Sequence, residues 1–116
     1  MNPTIYGINN CDSVKKARRW LETQDIEYTF VDVRQTPPTA ELLEGWIAAV
    51  GPDKLVNRRS TTWKNLPEQE RQAVISGAVV PTLLGNPTLI KRPVLVHRGE
   101  TVVGFNPSDY EERFNR

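Results

Sequence analysis

Three periodicities follow one another in residues 4–33, which read TIYGINNCDSVKKARRWLETQDIEYTFVDV. Residues 4–8 are rich in β-branched and aromatic side chains, which predicts a strand. From Cys11 onward the pattern is helical, and one face is formed by Val14, Ala17 and Leu21. Residues 27–33 alternate and are again typical of a strand. A strand–helix–strand unit of about 30 residues predicts a right-handed crossover on a parallel sheet.

The middle of the chain is mainly helical. Pro37 and Pro38 interrupt the first unit, and Thr39 is a typical N-cap for a helix that stops at Gly51-Pro52. Residues 53–63 are mixed and basic. Two further helices are predicted, over residues 67–77 and 79–84.

The last third predicts a hairpin and a terminal helix. Residues 93–97 and 101–104 are strands, and residues 98–100 form the turn between them. Asn106-Pro107 opens the helix.

The element order β-α-β, helices, β-β-α predicts one α/β domain over residues 1–116. Its core comprises residues 3–34 and 88–116, with a mixed four-stranded sheet. Residues 38–87 form a helical insertion between the two halves, because that segment is too small to carry a core of its own easily.

Composition excludes several classes of protein. A length of 116 residues suits one domain, and 15 Lys and Arg against 14 Asp and Glu give a net charge of +1. This balance argues against a disordered chain and against a non-specific nucleic-acid binder. One Cys and one His exclude an intramolecular disulfide and leave too few ligands for a Cys/His zinc site, so no metal is expected.

The location expected from the sequence is the cytoplasm. No apolar run approaches the roughly 18 residues that span a bilayer, so no membrane association is expected. The start of the chain has neither the basic nor the apolar region of a secretory signal. A lone thiol in the cytoplasm stays reduced.

Cys11 is the most informative residue, because it lies where a strand leads into a helix. Helix amides without internal partners and the positive end of the helix dipole both favour the thiolate. Lys15, one turn further on, adds positive field, and Ser13 is placed to hydrogen-bond the thiolate. Asp12 is a candidate N-cap. The alternative is that Cys11 is a small buried hydrophobic residue.

Three basic pairs, Lys15-Lys16, Arg58-Arg59 and Lys91-Arg92, stand out in a nearly neutral chain. A charge pair is often only a solvated surface, and this interpretation stays open for Arg58-Arg59. Arg92 precedes Pro93 at a strand start, where its planar guanidinium suits a bidentate oxyanion or carboxylate. His97 has no sequence neighbour that pairs it with Cys11, so we expect a structural or solvent-facing role for it and not a catalytic one.

Two longer motifs carry a family resemblance. Residues 6–17, YGINNCDSVKKA, and residues 86–96, NPTLIKRPVLV, closely resemble the arsenate reductase (ArsC)/Spx/YffB family, and the YffB branch matches best. Residues 59–63, RSTTW, and 103–105, VGF, extend the resemblance over nearly the whole chain.

The resemblance implies a thioredoxin-like fold with a helical insertion. It also implies roles for individual residues. Cys11 corresponds to the family's nucleophile, Arg59 and Arg92 to two arginines that hold the oxyanion, and Pro93 to a cis-proline. Asn10 and Ser13 are expected to support the cysteine loop, and Lys15 to join the anion-binding set.

Three positions depart from the family pattern. Gly7 stands where arsenate reductases have a His, and Asn106 or a neighbour stands where they have a third Arg. Val14 takes the place of the second cysteine of Spx regulators.

The expected function is therefore that of a glutathione-dependent thiol reductase with a single nucleophilic cysteine. No bound cofactor is expected. The expected partners are glutathione or another small thiol, with glutaredoxin as a further partner, and no nucleic acid; the protein is expected to be a monomer. Arsenate reductase proper and a non-catalytic, Spx-like regulator stay open as alternatives.

Overall fold

A computed structural model describes residues 2–115. By its internal contacts the chain divides into two compact units. The first unit comprises the residues up to Asp32 together with those from Arg92 on, and the second unit is Val33–Lys91.

The helices and strands follow in this chain order: β1 Thr4–Gly7, α1 Asp12–Thr23, β2 Thr29–Asp32, α2 Ala40–Val50, α3 Pro52–Leu55, α4 Thr61–Lys64, α5 Glu68–Ile75, α6 Val80–Gly85, a 3-10 turn Pro87–Leu89, β3 Val94–His97, β4 Glu100–Val103 and α7 Pro107–Arg113.

The first unit contains a four-stranded mixed sheet in the order β2-β1-β3-β4. β1 is parallel to β2 and antiparallel to β3, which forms a hairpin with β4. The predicted α/β fold with a mixed sheet and a βαβ crossover is confirmed. β2 is shorter than the predicted span of residues 27–33.

The register of β1 against β3 fixes which ends of the two strands meet. Tyr6 lies opposite Val94, and Thr4 lies opposite Val96. The end of β1 that leads towards Cys11 therefore lies beside the start of β3. His97, the last residue of β3, lies at the other end of the sheet.

Six residues with no exposed surface form the core of the first unit: Ile5, Val14, Ala17, Leu21, Leu95 and Tyr110. The predicted helix stripe on α1 is thus confirmed. Each fully buried aliphatic side chain of this size contributes about 1.5–3 kcal/mol relative to an exposed one. The rings of Trp20 and Phe105 meet Tyr110 edge-on, at centroid distances of 5.6 and 4.8 Å.

The hairpin turn is one residue shorter than predicted. His97 pairs with Glu100, so β4 begins at Glu100 and the loop is Arg98-Gly99. Both loop residues have positive φ, 53° and 78°. This is the two-residue turn whose twist matches that of the strands it joins.

The second unit begins with the predicted cap. The Leu42 N–H donates to Thr39 Oγ1 at 3.2 Å, which confirms Thr39 as the N-cap of α2. Leu43 and Trp46 are the buried residues of this helix. Gly51 ends α2 with φ of 87°, a conformation that suits glycine.

Residues 53–63 contain more helix than the sequence predicts. The short helices α3 and α4 overlap the two ends of this segment, and Ser60 caps α4 by accepting the Trp63 N–H at 3.1 Å. The sequence analysis missed both helices because each is a single turn, too short for an apolar periodicity to show.

Gly7 has a close neighbour. A Cβ at this position would lie 2.6 Å from Cγ2 of Val14, which is fully buried. Val14 is β-branched and stiff, so it has little freedom to move away. Gly7 therefore allows α1 to pack closely over the end of β1.

We predict that Gly7→Ala lowers the free energy of unfolding by about 1–3 kcal/mol, because the added methyl group overpacks against Val14. In a Val14→Ala background the same change costs less, since the two sites are coupled. Urea denaturation of the four proteins measures both values.

Gly45→Ala is the matched control. Gly45 lies inside α2 with no atom within 4 Å of an added Cβ, so the change stabilises by about 0.5–1 kcal/mol. Equal costs of Gly7→Ala in the wild-type and Val14→Ala backgrounds would show that the contact is not responsible.

Candidate functional site

Cys11 is the N-cap residue of α1. Its backbone is extended, with φ of −112° and ψ of 124°, and its carbonyl accepts the first helical N–H, from Lys15, at 2.9 Å. The residue is half-buried and packs against the core of the first unit. Cys11 is therefore neither sealed in that core nor fully exposed.

The residues around Cys11 in sequence are exposed: Asn10, Asp12, Ser13 and Lys15. The expectation that Asp12 is the N-cap is wrong, because the helix begins one residue earlier than that role requires and Asp12 is its first residue. Within residues 2–115 the Cys11 side chain makes no capping hydrogen bond of its own. The first-turn amides of α1 thus have no side-chain acceptor at the cap. They belong to the residues that directly follow Cys11 in the sequence.

Arg92 and Pro93 come at the start of β3, and the peptide bond between them is cis, as the resemblance implies. Arg92 is half-buried with its Nε inaccessible to solvent, and Pro93 is buried. The Pro93 carbonyl accepts the Gly104 N–H at 2.8 Å. Because of the β1–β3 register, the first unit brings the Arg92–Pro93 corner and the loop to Cys11 to one end of the sheet.

Arg59 belongs to the second unit, between α3 and α4. Its backbone N–H donates to Asn57 Oδ1 at 3.1 Å, which fixes the local turn, and its side chain is exposed. It borders a recess of about 520 Å³, which is lined by Asp53, Val56, Asn57, Arg58, Arg59 and Lys91.

Sequence reasoning missed most of this recess. The resemblance pointed to Arg59 alone, and Arg58 was left open as a solvated residue. The available signal was the local excess of positive charge at residues 58–59 and 91–92, but sequence spacing does not show that the two segments meet.

His97 lies away from the Cys11 end of the sheet. Its ring stacks on Phe114 at a centroid distance of 4.5 Å. Burial, with a further contribution from the nearby Arg98 cation, lowers the pKa of His97. The ring contact agrees with the expected structural role.

Asn106 is the N-cap of α7. Its Oδ1 accepts the backbone N–H groups of Ser108 at 2.9 Å and Asp109 at 3.3 Å. The position near which the family pattern has a third arginine is therefore occupied by a helix cap.

Residues 2–115 contain no cluster of three or more His, Cys, Asp or Glu arranged to hold a metal ion. The same residues also contain no helix with the length and apolarity needed to cross a bilayer.

Comparison with known proteins identifies the family. The profile of the ArsC family matches residues 6–113. The chain belongs to the ArsC family. Among solved structures, an ArsC-family neighbour described as the YffB protein superposes with a TM-score of 0.91 at 36% identity, covering 96% of this chain and 97% of that one. The recognition of the family and the similarity to the YffB branch are confirmed.

Two sequence relatives extend the comparison of this ArsC-family chain. A protein of Haemophilus influenzae is 42% identical over 111 residues, 96% of this chain and 97% of that protein. The regulatory protein MgsR of Bacillus subtilis is 31% identical over 108 residues, 91% of this chain and 85% of MgsR. A regulatory protein is thus among the relatives of this chain. The four-stranded mixed sheet and the helices between β2 and β3 agree with the fold that the family resemblance implies.

We predict that Asn106→Arg lowers the free energy of unfolding by about 1 kcal/mol, because the α7 cap is lost. Asn106→Asp keeps the acceptor oxygen and is the matched control, with a change of only a few tenths of a kcal/mol expected. Thermal denaturation compares the variants. Equal stability of the Arg and Asp variants would mean that the cap is not important.

Proposed function

We propose that this protein is a glutathione-dependent thiol reductase whose nucleophile is the thiolate of Cys11. The observation that carries the proposal is the position of Cys11, half-buried at the N-cap of α1. The amides of the first turn lack partners inside the helix, and the helix dipole is positive at this end. Both effects favour the thiolate, which is the reactive form of cysteine.

The proposed chemistry is an exchange in two steps. The Cys11 thiolate attacks the glutathione sulfur of a mixed disulfide X–S–S–G, which forms Cys11–S–S–G and releases the thiolate of X. A second glutathione thiolate then attacks the glutathione sulfur of the adduct, which releases glutathione disulfide and regenerates Cys11. Overall, the mixed disulfide and one free glutathione become the thiol of X and glutathione disulfide, and the thiolate of X takes up the proton that the glutathione thiol releases when it ionises.

The lone thiol supports this one-cysteine cycle. Val14 stands three residues after Cys11, where a second cysteine would complete a C-x-x-C motif, so an external thiol must resolve the adduct. Glutathione is the simplest such thiol, and glutaredoxin is a second partner that we propose. The chemistry needs a reducing compartment, for which we propose the cytoplasm. A monomer suffices for this cycle.

Basic residues are proposed to bind the anionic part of the substrate or of glutathione. Arg92 supports this role through its place at the same end of the sheet as the cysteine loop. We propose the same role for Arg59, on the strength of the family motif, and for Lys15, one helical turn after Cys11. A planar guanidinium suits a carboxylate, which it holds with two parallel hydrogen bonds.

Two positions argue against arsenate as the substrate. Gly7 replaces the histidine of the arsenate reductases, and the contact with Val14 leaves no room for a side chain there. Asn106 is engaged as a helix cap. The proposed substrate class is therefore a disulfide.

The first test is turnover of a small glutathione mixed disulfide, with glutathione consumption as the readout. We predict that Cys11→Ser loses activity by about two orders of magnitude or more, because the hydroxyl is a weak nucleophile without an adjacent base. Wild-type protein stopped with acid gains one glutathionyl group on Cys11 by mass spectrometry. Undiminished turnover by Cys11→Ser would end the proposal.

A matched pair of variants tests the anion-binding role. Arg92→Gln is expected to raise the KM for the anionic substrate, while Arg98→Gln removes the same charge at the opposite end of the sheet and leaves turnover unchanged. Equal effects of the two substitutions would indicate a dependence on net charge alone.

A second candidate function is that of a partner-binding regulator, and the 31% identity to MgsR supports it. The two functions differ in whether they require Cys11, so the Cys11→Ser variant distinguishes them. A regulator captures its protein partner equally well as wild type and as Cys11→Ser and does not consume glutathione. Glutathione turnover that requires Cys11, without such capture, favours the reductase.

A further inference from the structure

We propose that the recess in the second unit is a binding site for a small polyanion that carries two or more carboxylate or phosphate groups. This inference deepens the anion binding that the proposed function assigns to Arg59. It adds two residues without an assigned role, Arg58 and Lys91, and a carboxylate that competes for the site, Asp53.

The recess is built on a paired backbone. Val56 and Ile90 form an antiparallel bridge. The Asn57 N–H donates to the Leu89 carbonyl at 2.9 Å, and the Lys91 N–H donates to the Leu55 carbonyl at 2.7 Å. This pairing holds two basic segments side by side, although they are more than thirty positions apart in sequence.

The charges around the recess are unbalanced. Arg58, Arg59 and Lys91 face one carboxylate, that of Asp53, so the lining has an excess of two positive charges. Among the described residues 2–115, neither the Arg59 guanidinium nor the Lys91 ammonium forms an ion pair. Cations gathered without counter-charges repel one another, and a bound anion relieves this repulsion.

The Arg58 guanidinium lies near two side chains, but neither contact is strong. Its Nη2 lies 3.3 Å from Asp53 Oδ1, and its guanidinium carbon lies 5.5 Å from the centre of the Trp63 ring. The Asp53 side chain is 88% exposed and that of Arg58 is 44% exposed, so the pair contributes little to stability. A ligand anion can therefore replace Asp53 as the partner of Arg58 at small cost.

The size of the recess indicates a small molecule. Its volume of about 520 Å³ lies within the range of small-molecule sites, roughly 300–1,000 Å³. Three cations spread around such a space match several anionic groups on one ligand better than a single small ion.

The test is a titration of ¹⁵N-labelled full-length Cys11→Ser protein, followed by amide chemical shifts. Without the thiol, a failure of the proposed reductase chemistry leaves this inference standing. The probes are S-methylglutathione, which carries two carboxylates, and pyrophosphate. We expect at least one to give saturable shifts at residues 56–59 and 91. Saturation by S-methylglutathione alone identifies carboxylates as the ligand groups, and saturation by pyrophosphate alone identifies phosphates.

Three variants test whether binding depends on the residues that line the recess. Lys91→Gln is expected to weaken binding about three- to fivefold. Asp53→Asn removes the competing carboxylate and is expected to tighten binding about two- to threefold. Lys54→Gln is the matched control, because Lys54 is an exposed cation next to Asp53 that does not line the recess, and its loss should leave the affinity unchanged.

Two results would overturn the inference. One is the absence of saturable shifts for both probes at an ionic strength of about 0.01 M, where surface charges are least screened. The other is an equal loss of affinity in Lys91→Gln and Lys54→Gln, which would assign the effect to net charge.

Discussion

The antiparallel pairing of β1 with β3 is the constraint on which the candidate site of the first unit depends. Tyr6 opposite Val94 places the end of the first strand beside the start of the third. The chain leaves one strand towards Cys11 and enters the other through the cis Arg92–Pro93 bond. Cys11 and Arg92, which are 81 positions apart in sequence, thereby belong to the same end of a sheet. A slip of one residue would turn Ile5 and Leu95, both fully buried, towards the opposite face.

Local charge, and not net charge, gives this protein its chemical character. A chain with a formal charge of +1 has no strong global field to attract anions. Positive potential in this protein is local. It comes from basic side chains where the fold brings several of them together, and from the helix dipole at the N-terminus of α1, where Cys11 lies. Cys11 is the N-cap residue of α1, at the positive end of the helix dipole, whereas the recess of the second unit is lined by side chains. The two features use different sources of positive potential, and they respond differently to salt, because backbone dipoles are fixed and exposed side chains are readily screened.

Local sequence patterns predicted much of the fold. Features that depend on pairing between distant segments could not be predicted from them. The α1 stripe and the Thr39 cap were predictable because each depends on residues within about one or two helical turns. The start of α7 was also predictable, because Asn106-Pro107 is a local helix-start signal and Asn106 does cap this helix by accepting two backbone N–H groups. Cys11 stood out by its position between a strand and a helix, and the family motif implied the cis bond before Pro93. By contrast, Lys91 joins the recess through the Val56–Ile90 bridge, which no periodicity indicates.

The close contact between Gly7 and Val14 also restricts how related sequences can interconvert. A side chain at position 7 needs a smaller neighbour at position 14, whereas position 14 can lose volume while glycine is retained. Substitutions at the two sites are therefore epistatic, and their order matters: position 14 has to change first. A lineage that carries this glycine–valine pair passes more readily to a two-cysteine form through position 14 than to a histidine-bearing form through position 7. The packing of one helix on one strand thus biases which of the two positions accepts a substitution first.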